Sequence, residues 1–468
     1  MAGLARTWAD PDLWGHLRFG ADILRDGLPR ADPYSFTSDI PWINHEWLAE
    51  VVLSAAWAAG GGGLIALKMA IVCGTLGFLL LTLRGRAVSP TARDLTVVTA
   101  VFGLWARVFV IRPQIFSVLF FAALLWSLVS AERAHSDRLW ILPLLFGLWV
   151  NLHGGWIVGL GVLFLWTAAG LGGVGAAPIA TRTLAGVLAV SLAATLANPY
   201  GIGLWAFLGE TVRVNRPGIS DWRPLWETDA QVIVPWLISA TLTAVAMAKG
   251  RSRIPLAHTA IVLGLGVASV RVNRLDVFFT LSAVMLLSPY LGSTVADPPA
   301  PTWTRSTVLV AAALSALLAV GAWWMRADFN CARLDGPWMP EREAGGFIAA
   351  NRLHGRLLTW FDWGQYAIWH FTPLLKVSLD GRRETVYSDA LVARHIRLYF
   401  EPETSLDLLA ELHADYAWIP RDLPLARVLE GRGWHVLYLG PVSVILGREP
   451  LARPVSPTLA TRACFPGP

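Results

Sequence analysis

Long apolar runs separated by short polar segments dominate the first two thirds of the chain. A run of about 18 or more apolar residues can cross the hydrocarbon core of a bilayer as a helix. The pattern predicts about ten spans, at 62–83, 94–112, 113–131, 138–151, 155–173, 182–197, 230–248, 255–271, 274–292 and 306–326. Several segments are shorter than a straight span needs, so we expect tilted or broken helices, for example around 151–156.

After the last predicted span, short strand-like runs alternate with helical patterns. The strand-like runs are 356–361, 375–380, 415–419 and a hairpin over 434–447, and the helical patterns are 341–353, 388–399, 404–413 and 422–432. Strands that alternate with helices favour a partly parallel sheet. The predicted fold class is therefore a polytopic α-helical membrane protein with a C-terminal soluble α/β domain.

This pattern divides the chain into three regions. Residues 1–61 form an outer loop with an acidic motif and amphipathic helices, and residues 62–326 form the transmembrane helical domain. Residues 327–468 form the α/β domain and a flexible tail.

Composition agrees with a membrane protein. Of the 468 residues 55% are hydrophobic and 15% are charged, which does not suit a soluble core. The net charge of +5 is divided among loops, so it predicts no nucleic-acid partner. Three cysteines cannot form a disulfide framework, but Cys331 and Cys464 flank the α/β domain and could either form one bridge or stay as thiols. No cleavable signal peptide is visible at the polar, acidic N-terminus.

Basic residues set the predicted orientation. Short cytoplasmic loops carry an excess of Lys and Arg. The loops that show this excess contain Arg84, Arg86, Arg93, Arg133, Arg138, Arg182, Lys249, Arg251 and Arg253. We therefore expect an integral protein of a bacterial inner or plasma membrane, with residues 1–61 and the C-terminal domain outside.

Four arginines fall at the predicted outer boundary of the membrane, where arginine is normally depleted. They are Arg107, Arg112, Arg271 and Arg274. At headgroup depth they could neutralise a bound lipid phosphate. The alternative is ordinary snorkelling, or pairing with the acids of the first loop.

The first loop collects groups suited to a divalent cation. Asp10 and Asp12 precede His16, and His45 and Glu46 follow later. Carboxylate and imidazole ligands suit Mg²⁺ or Mn²⁺ facing a phosphate. An acidic loop is also commonly a solvated surface, and the tryptophans of this loop could be interfacial belt residues.

Two stretches carry a family resemblance. Asp12-Leu13-Trp14-Gly15-His16-Leu17-Arg18 resembles the D-x-x-x-(H/N)-x-R loop of archaeal and eukaryotic oligosaccharyltransferase catalytic subunits. Trp360-Phe361-Asp362-Trp363-Gly364, with Leu379-Asp380-Gly381 downstream, is similar to the W-W-D-Y-G motif of their outer domain and the D-G or D-N that follows it. Both stretches occupy the positions expected in the GT-C superfamily of membrane glycosyltransferases. In that family an additional span precedes the first loop, and we expect the gene model to begin too late.

The resemblance implies an activity and its residues. It implies transfer of a sugar from a polyprenyl-phosphate or pyrophosphate lipid donor to an acceptor on the outer membrane face, among membrane lipids. Asp12, with Asp10 beside it, would be the catalytic carboxylate, and Asp12, Glu46 and His45 would hold the Mg²⁺ or Mn²⁺. Trp360, Phe361 and Asp362 would bind the acceptor, although Phe361 lacks the indole N–H of the family's second Trp.

Two other functions are compatible with the same sequence. One is a membrane transporter or flippase of a lipid-linked saccharide, which would need repeated halves and polar groups near mid-membrane. The other is a non-catalytic scaffold of GT-C-like fold.

Overall fold

A computed structural model shows two compact units. It describes residues 6–60, 62–84, 86–134, 138–174, 179–213, 220–292, 320, 331–334, 336, 338–456 and 464–467. One unit contains residues 1–7 and 64–330, and the other contains residues 8–63 and 331–468. We call them the helical unit and the α/β unit. The α/β unit is thus built from two stretches of chain that are far apart in sequence.

The described helices of the helical unit lie at the positions that the apolar pattern predicts, except for Gly203–Arg213, which the pattern did not predict. These are Gly63–Leu83, Pro90–Val108, Gln114–Ala134, Leu142–Trp149, Trp156–Leu171, Thr181–Ala194, Gly203–Arg213, Ala230–Gly250, Leu256–Arg271 and Asp276–Leu287. The predicted span at 306–326 lies outside the described residues. Three described helices are long and apolar enough to cross a membrane, namely Gly63–Leu83, Gln114–Arg133 and Ala230–Gly250. The mainly helical architecture is confirmed, and the count of ten spans is not.

Small residues let these helices approach closely. A Cβ at Gly103 would overlap the side chain of Thr280, and a Cβ at Gly159 would overlap the ring of Trp149. Without a strong hydrophobic driving force in lipid, close packing of this kind is a main source of helix association.

The α/β unit is centred on a five-stranded mixed sheet. Its strands are β3 (Gly355–Thr359), β4 (Leu375–Val377), β5 (Tyr416–Pro420), β6 (His435–Leu439) and β7 (Ser443–Gly447), and two short strands, β1 (Thr7–Trp8) and β2 (Ala332–Arg333), precede them. The order is β4-β3-β5-β7-β6, with β4, β3 and β5 parallel and β7 and β6 antiparallel. The predicted strands, the partly parallel sheet and the terminal hairpin are therefore confirmed.

Helices cover this sheet because their apolar faces must be buried. They are Arg342–Ala350, Gly364–Phe371, Asp389–Phe400, Leu406–Leu412 and Pro424–Gly431. Leu358, Ala417 and Ile419 of the sheet are fully buried and share one core with side chains of the last three of these helices. The helix Gly364–Phe371, directly after the WFDWG stretch, is the one the sequence patterns did not delimit.

Residues 8–63 are an integral part of the α/β unit. They form the helices Leu13–Asp26 and Trp47–Ala58. Between these helices the chain runs beside β4, where Phe36 N donates to Val377 O at 3.2 Å and Val377 N donates to Tyr34 O at 3.1 Å. Trp14 is fully buried and Trp42 is 5% exposed, so these two tryptophans are core residues of a folded unit and not an interfacial belt.

Cys331 and Cys464 form a disulfide. The predicted bridge is therefore present in place of two free thiols. Beside it Phe465 N donates to Ala332 O at 2.8 Å, and Trp14 Nε1 donates to Pro466 O at 2.9 Å. The bridge and these hydrogen bonds tie residues 464–467 to the first residues of the α/β unit.

Candidate active site

The WFDWG stretch and the Asp380-Gly381 motif downstream of it meet in the α/β unit. The WFDWG stretch follows β3, and Asp380-Gly381 follows β4. Because these strands are parallel neighbours, their carboxyl ends lie at the same edge of the sheet. Gly364 packs against the backbone of Leu379 and Asp380, and a Cβ at Gly364 would overlap both. The sheet thus brings WFDWG and the D-G motif into direct contact.

Asp12 lies at this junction. It occupies the N-cap position of the helix Leu13–Asp26, but its side chain makes no capping hydrogen bond. Instead, Gln365 Nε2 donates to Asp12 Oδ1 at 3.0 Å. A Cβ at Gly381 would overlap that same carboxylate oxygen and approach Gln365 Nε2. Glycine at position 381 therefore lets Asp12 approach the end of β4.

Gln365 fixes the position of this carboxylate. It is 3% exposed and is held between the Asp12 side chain and the backbone of Gly15, where a Cβ would overlap the amide oxygen. That oxygen has no hydrogen-bond partner among the described residues. The sequence analysis did not single out Gln365, although it directly follows WFDWG.

A protonated histidine lies one helical turn beyond Asp12. His16 Nδ1 is 3.2 Å from Glu50 Oε1, and Asn44 Nδ2 donates to Glu50 Oε2 at 2.5 Å. Burial opposes the charge on His16. Nevertheless, the hydrogen bond and negative charge of Glu50, together with the charges of Glu46 and Asp12, raise the pKa of His16 to about 9. His16 therefore carries a positive charge at neutral pH.

This raised pKa predicts a pH-dependent stability. The pKa of His16 rises from its ordinary 6.5 to about 9 on folding, so its stabilisation is complete below pH 6.5 and is lost as the pH rises through 9. The loss should approach about 3 kcal/mol, from 1.36 kcal/mol for each unit of pKa shift. Denaturant unfolding of the purified chain between pH 6 and 10 measures it. His16→Gln should reduce the dependence of the unfolding free energy on pH, and the control His354→Gln, at an exposed residue, should not. An unchanged pH dependence in His16→Gln would contradict the raised pKa of His16.

The predicted metal ligands do not form a built metal site. Among the described residues no group of three or more His, Cys, Asp or Glu side chains could hold a metal ion. His45 and Glu46 face each other, with 3.6 Å between Nε2 and Oε1, and Asp12 is engaged by Gln365. The Asp12, Glu46 and His45 site stays a prediction, and no step below is routed through a metal.

The predicted acceptor residues form the turn between β3 and the next helix. The Trp360 ring lies 5.0 Å from the Tyr399 ring, centroid to centroid, and the Arg383 guanidinium lies 5.2 Å from the centroid of the Phe361 ring. Burial raises the pKa of Asp362, against the opposing effects of a Trp360 hydrogen bond and the Arg383 charge. Asp362 is half-buried, between aromatic rings and a cation, as the strand-to-helix turn predicts.

A buried network of charged side chains lies next to this site, since Asp380 directly precedes Gly381. Arg382 donates from Nε and Nη2 to the two oxygens of Asp380 at 2.8 and 2.7 Å, and from Nη1 and Nη2 to those of Asp32 at 2.6 and 2.9 Å. Tyr387 OH donates to Asp380 Oδ2 at 2.6 Å. The guanidinium also lies within 5.4 Å of the ring centroids of Phe19, Tyr34 and Trp42. Burial opposes ionisation of Asp380, but Arg382 and Tyr387 lower its pKa.

In the helical unit, Arg107 is held inside the protein. Its guanidinium donates to both oxygens of Asp276 at 2.8 and 3.0 Å, to Asp221 Oδ1 at 3.1 Å and to Asn273 Oδ1 at 2.8 Å. Arg112 Nη1 donates to the second oxygen of Asp221 at 2.8 Å. The alternative to phosphate binding was pairing with acids of the first loop. Arg107 and Arg112 do pair with acids, but these acids, Asp221 and Asp276, lie later in the chain than the first loop.

The other two predicted arginines are more accessible. Arg271 is exposed in the last turn of its helix, where the negative end of the helix dipole favours a cation. Arg274 is half-buried, with its guanidinium 5.3 Å from the centroid of the Trp222 ring and its Nη2 3.2 Å from His153 Nε2. Phosphate binding by these four arginines stays a prediction.

Comparison with known proteins gives the fold class. No protein-family model matches the sequence, and the comparison with curated proteins found no match. Among solved structures, the chain is similar to an oligosaccharyltransferase from Archaeoglobus fulgidus in its apo form, with a TM-score of 0.57 at 12% identity. The similarity covers 89% of this chain and 66% of that one.

A second solved structure agrees. The chain is similar to the arabinofuranosyltransferase AftD from Mycobacteria, with a TM-score of 0.51 at 14% identity, over 96% of this chain and 40% of that one. At these identities the likeness concerns the fold, and the chain spans about two thirds or less of the length of either structure. The chain therefore shares the fold of these two structures, and the fold implied by the resemblance to oligosaccharyltransferase catalytic subunits is confirmed.

Proposed function

We propose that the chain is a glycosyltransferase that moves a sugar from a polyprenyl-phosphate or pyrophosphate lipid to an acceptor on the outer membrane face. One observation carries the proposal. Asp12 of the first loop lies against Gln365 and Gly381, so the two stretches that resemble the family share one site.

In this proposal each part of the α/β unit has a role. Asp12, fixed by Gln365, stabilises positive charge at the sugar carbon or accepts the proton of the acceptor as the lipid phosphate leaves. Trp360, Phe361 and Asp362 contact the acceptor. Asp10 is 3% exposed, and its backbone oxygen accepts from Leu13 N at 3.3 Å, so we assign it to the start of the helix rather than to the chemistry.

The two glycosyltransferase structures favour this function over a transporter. The transporter alternative needs repeated halves and polar groups near mid-membrane. Arg107 and Asp276, a buried ion pair of the helical unit, satisfy each other.

The experiment uses the full chain in proteoliposomes with polyprenyl-phosphate and polyprenyl-pyrophosphate donors that carry labelled pentoses or hexoses. The proposal predicts that label leaves the lipid phase for an acceptor or for water, and that polyprenyl phosphate or pyrophosphate is released. If instead label crosses between leaflets and stays on its lipid with every donor, the protein is a flippase. If the label is neither transferred nor moved between leaflets, the result favours the non-catalytic scaffold.

A further inference from the structure

Two helices of the α/β unit bring Asp12 and Gln365 together. Asp12 is the N-cap residue of the helix Leu13–Asp26, and Gln365 is the second residue of the helix Gly364–Phe371. We call them the Asp12 helix and the Gln365 helix. A displacement of one helix relative to the other changes the distance between the carboxylate and the amide. The position of Asp12 therefore depends on what holds these two helices together.

One backbone carbonyl from a distant part of the chain links both helices. Trp14 Nε1, on the Asp12 helix, donates to Pro466 O at 2.9 Å. His370 Nε2, on the Gln365 helix, lies 3.3 Å from the same oxygen. Burial lowers the pKa of His370 to about 4, so the ring is neutral at pH 7. A carbonyl oxygen only accepts and has two lone pairs, so the ring proton is on Nε2 and both rings donate to it.

The segment 464–467, which we call the tail clamp, is attached to the α/β unit at several points. A disulfide joins its first residue to Cys331. The Phe465 side chain is 5% exposed, and its ring centroid lies 5.4 Å from that of Trp14 and 6.0 Å from that of Trp369. Trp14 belongs to the Asp12 helix and Trp369 to the Gln365 helix. The ring and the carbonyl of the tail clamp thus contact the same two helices.

Loss of the tail clamp would remove partners from both helices. Trp14 is fully buried, so its indole N–H would lose its acceptor where water does not replace it. A buried donor that loses its acceptor and a cavity left by an aromatic ring are both unfavourable, and the surrounding helices relax in response. Trp14 is two residues from Asp12. A shift of Trp14 therefore moves the carboxylate away from Gln365 Nε2, which now lies 3.0 Å from Asp12 Oδ1.

We infer that the tail clamp positions the Asp12 carboxylate, because it holds the Asp12 helix against the Gln365 helix. The Pro466 carbonyl makes the link, and the disulfide keeps that carbonyl in place. The effect on sugar transfer rests on the proposed function, and the effect on the helices does not. Position matters for the reaction, since misplacing a catalytic group by about 1 Å can lower a rate about a hundredfold.

The first test measures the distance between the two helices in the folded full chain in detergent. Spin labels on Leu24→Cys, in the Asp12 helix, and Leu374→Cys, just after the Gln365 helix, report this distance. Labels on Ile396→Cys and Leu439→Cys, in another helix and in β6, report a reference distance. All four positions are exposed. Cys73→Ser removes the free thiol from every sample.

Without the disulfide, in the double variant Cys331→Ser and Cys464→Ser, the first distance distribution should widen by about 1 Å or more, the scale that affects rates. The reference distribution should stay as it is in the wild type. Trp14→Phe keeps the disulfide and an aromatic ring but removes the N–H, and it should widen the first distribution as well. This variant keeps the inference testable if the chain without the disulfide folds poorly. Unchanged widths, or equal widening of both distributions, would overturn the inference.

The second test measures sugar transfer. Loss of the disulfide should lower kcat about tenfold and leave the KM of the lipid donor within about twofold, because the tail clamp acts on a positioned carboxylate and not on donor binding. Gln365→Leu should have a similar effect. Both changes together should lower the rate little further, because they release the same carboxylate. If the two effects multiply, the tail clamp does not act through Asp12 and the inference is wrong.

The two tests separate the inference from the proposed function. If the helix distance depends on the disulfide but the wild type transfers no sugar, the tail clamp is supported and the proposed function fails. If the chain transfers sugar at the wild-type rate without the disulfide, the proposed function is supported and the inference fails.

Discussion

Asp12→Asn should lower sugar transfer by about a hundredfold or more and leave the fold intact. The amide has the same shape and can still accept from Gln365 Nε2, so the junction with Gly381 is kept. It has lost the negative charge and the basicity that the proposed reaction uses, and general acid–base catalysis alone contributes about a hundredfold or more. A hundredfold loss corresponds to about 3 kcal/mol of transition-state stabilisation.

The measurement is the initial rate with the lipid-linked sugar that the wild type uses, and unfolding temperatures verify that each variant is folded. Asp10→Asn is the matched control, two residues away, and should have a smaller effect. A strong loss in Asp10→Asn with near-normal transfer in Asp12→Asn would mean that the family motif is out of register by two residues. If neither change matters in a protein that transfers sugar, the site lies elsewhere.

Arg382→Met should destabilise the α/β unit by about 3–5 kcal/mol. The substitution leaves the carboxylates of Asp32 and Asp380, 1% and 0% exposed, without the cation that neutralises both. Removing one partner of a buried ion pair costs this much because the remaining charge stays buried. For a unit of this size the unfolding temperature should fall by roughly 10 °C.

Arg394→Met is the control for the same change at the surface. Arg394 pairs with Asp407 and Glu411, which are 65% and 58% exposed, so its loss should cost less than about 1 kcal/mol. Calorimetry of both variants in detergent measures the difference. In Arg382→Met, lowering the pH to about 5 should recover part of the stability, since a protonated carboxyl is cheaper to bury. Equal effects of the two substitutions would show that the Arg382 network contributes little.

Local sequence pattern predicted most of the elements of this fold. The strands β3 to β7 were predicted because the alternation of apolar and polar residues, which marks a strand, is visible within a few positions of the sequence. The long apolar runs located most of the helices of the helical unit. The helix Gly364–Phe371 was not delimited because it is short and its start overlaps the aromatic turn before it. Asp12 and the WFDWG stretch were found because each resembles a motif, but the contacts of Asp12 with Gln365 and Gly381 were not predicted.

Contacts between distant segments account for what the patterns could not predict. Asp32 and Arg382 are 350 residues apart, and Arg107 and Asp276 are 169 apart. No periodicity relates such residues, so an outer arginine that binds phosphate and one that binds a buried aspartate look alike in sequence.

The division of the α/β unit between residues 8–63 and 331–468 has a consequence for biogenesis. The helix that follows Asp12 leaves the ribosome hundreds of residues before Gln365 and Arg382 are synthesised. Until then, Asp32 has no cation to neutralise it and Trp14 has no partner for its indole N–H. The early segment therefore stays incomplete while the intervening helices are synthesised. A nascent chain that stops before residue 331 would present that segment to proteases and chaperones, and the cell could discard it before any site existed.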